Sequence, residues 1–102
     1  MTALTVTMQA DGLVILDGDL TFATINKKTV KLIDFKAVGQ EVIIDFSKIN
    51  QSDSAGLALI IEWLKNAKTA QKICKLHHLP TQLLTLAQLS GFDMALYFPA
   101  HA

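Results

Sequence analysis

The run Val42-Ile43-Ile44-Asp45-Phe46 restricts the fold more than any other part of the chain, because four strand-favouring apolar residues are broken there by a single aspartate. A strand with one face in water alternates apolar and polar residues. A nearly continuous apolar run is instead the pattern of a central strand covered on both faces. Such a strand belongs to a parallel sheet, and parallel neighbours need crossover connections, usually helices.

The flanking sequence supplies them. Leu4 to Gln9 reads as a weak strand, Asp11-Gly12 as a turn, and Leu13 to Leu16 as a short apolar strand that ends at Asp17-Gly18-Asp19, so the chain opens with a β-hairpin. From Phe22 the spacing lengthens. Phe22, Ile25, Thr29, Leu32 and Ile33 share one face at helical periodicity while Lys27, Lys28 and Lys31 fall elsewhere, which predicts an amphipathic helix ending before Gly39. Ser47 to Ser54 is polar and turn-like. Gly56 to Ala70 follows as a long helix with Leu57, Ile60, Ile61, Leu64 and Ala67 on its core stripe. Ile73 to Leu76 is the next strand, Pro80 opens a third helix carrying Leu83, Leu86 and Ala87, Gly91 stops it, and Leu96 to Phe98 form a short last strand. The order β-β-α-β-α-β-α implies a mixed α/β sheet with its helices mainly on one side.

At 102 residues there is room for one hydrophobic core, so residues 1–102 are expected to be one domain. A composition 51% hydrophobic and 18% charged lies far from that of disordered chains. Nine basic and nine acidic residues cancel, leaving no overall positive field for a nucleic acid backbone. The apolar run Gly56 to Ile61 is too short to cross a bilayer, and Met1 to Gln9 lack the pattern of a secretory signal. With Cys74 as its sole cysteine, the chain has no disulfide framework, and a cytoplasmic location is expected.

The segment with chemical character is Asp53-Ser54-Ala55-Gly56-Leu57-Ala58-Leu59, at a strand-to-helix junction, with Asp45-Phe46-Ser47 upstream. Free amides and the helix dipole at such a start favour a negative or accepting group, and Ala55 and Gly56 keep bulk away from an approaching partner. Asp53 or Ser54 also suits the role of N-cap. Leu59 and Trp63, four residues apart on the same helix, widen its apolar face and extend the candidate interface.

The arrangement Asp45-x-Ser47, five residues, then Asp53-Ser54-Ala55-Gly56-Leu57, with Gly18-Asp19-Leu20 earlier, is similar to the STAS family, which includes the anti-sigma factor antagonists. The likeness spans essentially the whole chain in element order, and within the family the helix start most resembles the MlaB-type branch. That resemblance implies a STAS-type fold and a non-catalytic role as the cytoplasmic subunit of an Mla-type phospholipid-transport ABC complex. It would be peripheral at the inner membrane, bound to the ATPase subunit in a complex with a permease. The partner-binding residues it implies are Asp53, Ser54, Ala55, Gly56, Leu57, Leu59 and Trp63. The alternative it implies is an anti-sigma factor antagonist controlled by phosphorylation of Ser54. Ala55, where phosphoswitch members often carry a second serine, favours the transporter branch.

Other residues are set aside. His77 and His78, as neighbours on a strand, point to opposite faces and cannot share a metal ion, and Cys74 in an apolar strand reads as core. Ser54 lacks the elbow and oxyanion site of a hydrolase, and there is no glycine fingerprint for a nucleotide. No catalytic residue, cofactor or metal is therefore expected. Lys27, Lys28, Lys31 and Lys36 read as a solvated face.

Overall fold

The computed structural model describes residues 2–9 and 11–91. Strands β1 (Thr5–Met8), β2 (Leu13–Leu20), β3 (Glu41–Ser52) and β4 (Ile73–His77) form one sheet in that order. β1 runs antiparallel to β2, while β2, β3 and β4 are parallel, so the sheet is mixed as expected. Helix α1 (Ser54–Thr69) connects β3 to β4, and α2 (Thr81–Ser90) follows β4 and ends on Gly91 in the left-handed conformation. The last strand expected at Leu96 to Phe98 lies outside the described residues.

The core lies against one face of the sheet. Val14 and Leu16 of β2, Val42, Ile44 and Phe46 of β3, and Cys74 and Leu76 of β4 are buried in a common cluster with Ile60, Trp63, Leu64 and Ala67 of α1 and Leu83 and Ala87 of α2. Their alternating partners, Ile15, Ile43 and Asp45, are only half-buried, and Glu41 and Ile73 are exposed. The apolar run of β3 therefore marks a strand with neighbours on both edges, and among the described residues helices pack on its even-numbered side alone.

Two regions differ from the sequence reading. In the first, β2 runs through Asp17-Gly18-Asp19 to Leu20 and does not end at Leu16, and β3 does not stop at Phe46. It continues through Ser47-Lys48-Ile49 to Ser52 because β2 keeps pairing with it, Asp17 opposite Lys48, Gly18 opposite Ile49 and Leu20 opposite Ser52, across two register shifts. A partner strand here overrides weak local preference.

The second difference is the amphipathic helix expected from Phe22, which is absent apart from a 3-10 turn at Thr29–Leu32. Short polar side chains take the backbone groups a helix would use. Thr24 Oγ1 accepts from the Thr21 amide and donates to the Asp19 carbonyl, Asn26 Oδ1 accepts from Lys28 N, Thr29 Oγ1 accepts from Asn26 N, and Asp34 Oδ1 accepts from Lys36 N. Each bond closes a local turn that competes with the i to i−4 ladder. The segment still covers α1, burying Thr29, Ile33 and Phe35, but leaves Phe22 79% exposed.

Gly56 allows α1 to approach β2. A Cβ placed there would lie 2.6 Å from the Leu20 carbonyl oxygen, a backbone atom that no rotamer change can move aside. Gly56→Ala would gain up to about 1 kcal/mol of helix propensity. The clash outweighs that gain, so a net loss of about 1–3 kcal/mol is expected in urea denaturation. A variant as stable as the parent would show that α1 can shift without penalty.

Candidate functional site

The start of α1 is built around Asp53. Its backbone is extended, with φ −145° and ψ −168°, as an N-cap residue requires. The Asp53 amide donates to Leu20 O at 3.3 Å, joining the helix start to the end of β2. Its carboxylate then serves two segments: Oδ1 accepts from Ala55 N at 2.8 Å, and Oδ2 accepts from Phe22 N at 3.2 Å. Of the two candidate caps, Asp53 is the one used.

This arrangement corrects the expectation of an open anion site. The Ala55 amide is held by the Asp53 carboxylate, and the Gly56 and Leu57 amides donate to the Asp53 carbonyl. The dipole at this helix end already faces a carboxylate, so a second anion would meet like charge with three of the first amides already taken.

Burial then sorts the candidate residues. Ser54 is exposed, Asp53 and Ala55 are half-buried, and the Ser54 hydroxyl makes no hydrogen bond among the described residues. Gly56 and Leu57 are buried, so the absent side chain of Gly56 serves the contact with Leu20 instead of clearing a path for a partner. Leu59 and Trp63 share a face as expected, but that face is inside. Trp63 is 0% exposed, and its indole Nε1 donates to Val30 O at 3.0 Å. Neither side chain has surface to offer a partner: Trp63 lies under the 21–38 segment, bonded to Val30, and Leu59 is buried with it in the core cluster. The outward positions are Ser54 and Ala58, one helical turn apart.

Phe22 enters the site from outside the expected set. Periodicity assigned it to a helix core, whereas its amide is bonded to Asp53 and its ring is in solvent. The one sequence signal for this was the density of Thr, Asn and Asp around it, which favours turns over helix.

Asp45-Phe46-Ser47 does not join this site. Asp45 sits opposite His77 in the β3–β4 pairing, eight residues of strand before Asp53, a separation on the order of 20 Å. It forms its own cluster. Ser47 N donates to Asp45 Oδ1 and Ser47 Oγ to Oδ2, each at 3.0 Å, and His78 Nδ1 lies 2.9 Å from Oδ1. The strand ends at His77, and His78 turns into the left-handed region at φ 58°, which swings its ring to Asp45. Partial burial works to raise the Asp45 pKa, but the bonds from the Ser47 amide, His78 and the Ser47 hydroxyl win and hold the carboxyl below its ordinary value. Cys74 is buried, its thiol pushed up to about 12 by desolvation, which removes it as a nucleophile. Among the described residues no cluster of three or more His, Cys, Asp and Glu could hold a metal ion, and no helix is long and apolar enough to cross a membrane.

Two outcomes test this geometry. Asp53→Ala should cost about 1–2 kcal/mol in urea denaturation through the lost cap, while Ser54→Ala should change stability by less than about 0.5 kcal/mol. Equal losses would mean that Ser54 shares the capping role. For Asp45, the folded pKa lies below the unfolded value, so its stabilising contribution is complete above the ordinary 3.8 and is lost as pH falls through the folded pKa. Asp45→Asn should therefore lose less stability than the parent when denaturation at neutral pH is compared with denaturation at about pH 3.

The family model described as "Mlab, STAS domain" matches residues 5–97. Among solved structures, the phosphorylated form of the Bacillus cell-fate determinant SpoIIAA is 15% identical with a TM-score of 0.69, the match covering 95% of this chain and 89% of that one. A sulfate transporter family protein from Wolinella succinogenes is 15% identical with a TM-score of 0.64, at 90% and 79% coverage. An anti-sigma factor antagonist STAS domain from Rhodobacter sphaeroides is 16% identical with a TM-score of 0.60, at 76% and 86% coverage. No curated protein sequence matches. At such identities the structures speak for the fold, and the family model, spanning nearly the whole chain, makes the protein a member of the STAS family.

Proposed function

We propose that this chain is a non-catalytic, one-domain subunit of an Mla-type phospholipid-transport ABC system, docking on the ATPase subunit through the outward face of the α1 start. It would reside in the cytoplasm and reach the inner membrane through the ATPase and its permease. The observation that carries the reading is the match of residues 5–97 to the MlaB-type STAS model. The geometry supports it in kind. Ser54 offers a hydroxyl with no hydrogen-bond partner among the described residues beside the small Ala58, and the charge of Asp53 is already engaged, so a neutral protein surface can close over the step without stranding a carboxylate.

The second reading is an anti-sigma factor antagonist switched by phosphorylation of Ser54, and the free, exposed hydroxyl favours it. Against it stands the local charge. A phosphoryl group there would add nearly two negative charges next to Asp53, whose carboxylate and carbonyl already occupy the amides of residues 55–57.

Ser54→Arg places a long cation on the proposed contact without touching the core. It should eliminate co-purification with the ATPase while leaving the thermal transition of the isolated protein unchanged. Recovery of a sigma-regulating kinase with phosphorylated Ser54, and of no ATPase, would select the second reading.

A further inference from the structure

Of the large apolar residues in the described chain, Phe22 is the one whose exposure lies beside the proposed docking step. At 79% its ring is almost wholly in water, while Leu20, two residues earlier, is fully buried. The ring is not on a loose loop. The Phe22 amide is bonded to Asp53 Oδ2, the carboxylate that also caps α1, and the turn behind it is closed by Ile25 N donating to Thr21 O and by Thr24 Oγ1 donating to Asp19 O. An exposed aromatic held on a rigid tether has little freedom left to lose on binding, the condition under which such residues act as interface anchors.

We propose that Phe22 is the apolar anchor of the α1-start docking surface, its ring entering an uncharged socket on the partner ATPase next to the contact made by Ser54. The inference rests on the docking reading above and adds to it a residue from another segment. The neighbourhood argues for a protein occupant. Ala23, Ser54 and Ala58 are uncharged, and the Asp53 carboxylate beside Phe22 is held by two amides, the next exposed carboxylate along this face of α1 being Glu62, a further turn on. Anionic lipid headgroups would meet the Asp53 carboxylate next to the ring. A lone ring with its small neighbours is also far below the roughly 1,200 Å² that a stable homodimer buries, so the ring suits a place within a larger face on a different partner.

Phe22→Ser and Phe22→Leu in the full chain, with calorimetric titration against the ATPase subunit, test the proposal. Phe22→Ser should weaken binding by about thirtyfold, Phe22→Leu by only a few fold, and both should melt with the parent because the ring supports no core. Parent-like affinity for Phe22→Ser, with Ser54→Arg still abolishing binding, overturns the anchor and leaves the docking reading intact. Failure of the unmutated chain to bind the ATPase removes both. If Phe22→Ser instead dissolves a dimer in light scattering, or releases the chain from phosphatidylglycerol vesicles, with ATPase affinity unchanged, the occupant is not the ATPase and the proposal falls.

Discussion

The junction of β2, β3 and α1 depends on one carboxylate and one missing side chain. Asp53 leaves β3 with its amide on Leu20, turns the chain into α1 with Oδ1 on Ala55, and draws in the loop after β2 with Oδ2 on Phe22. Gly56, a turn of helix further on, lets the backbones of α1 and β2 come close enough for all three bonds to form together. Either part alone would fail. With a Cβ at position 56 the helix start would be pushed from Leu20, and without the carboxylate both the Ala55 amide and the Phe22 loop would lose their partner.

That arrangement also decides the chemistry of the helix end. An uncapped helix start attracts anions because its first amides point outward with no acceptor. Here the same residue satisfies three of them internally, so what is left on the surface is a hydroxyl, a methyl group and an aromatic ring. The step suits protein contact more than ion binding. The Asp45, Ser47 and His78 cluster is separate in place and in kind, a polar clasp that fixes the end of β4 against β3.

Much of the architecture was legible in residues alone. The hairpin, the crossover helix after β3, the buried character of Cys74 and the glycine stop of the last helix each follow from patterns that operate over a few residues. The helix expected from Phe22 shows where that reasoning ends. Its apolar spacing was helical, yet Thr24, Asn26, Thr29 and Asp34 each found a nearby backbone group, and several short bonds outweighed one periodic face. Family resemblance pointed to the start of α1 as the candidate site but could not sort its residues by exposure.

The sequence by itself determined the order of the four described strands, the mixed sheet and the helices that follow β3 and β4, because strand and helix periodicity, caps and breakers are local properties. Tertiary structure alone decided which side chains the step presents. Trp63 became core under a segment some thirty residues earlier whose Val30 carbonyl takes its indole hydrogen bond, and Phe22 became surface with its amide held by Asp53 at the helix start. Exposure at the end of a helix depends on what packs across it, and no spacing along the chain encodes that.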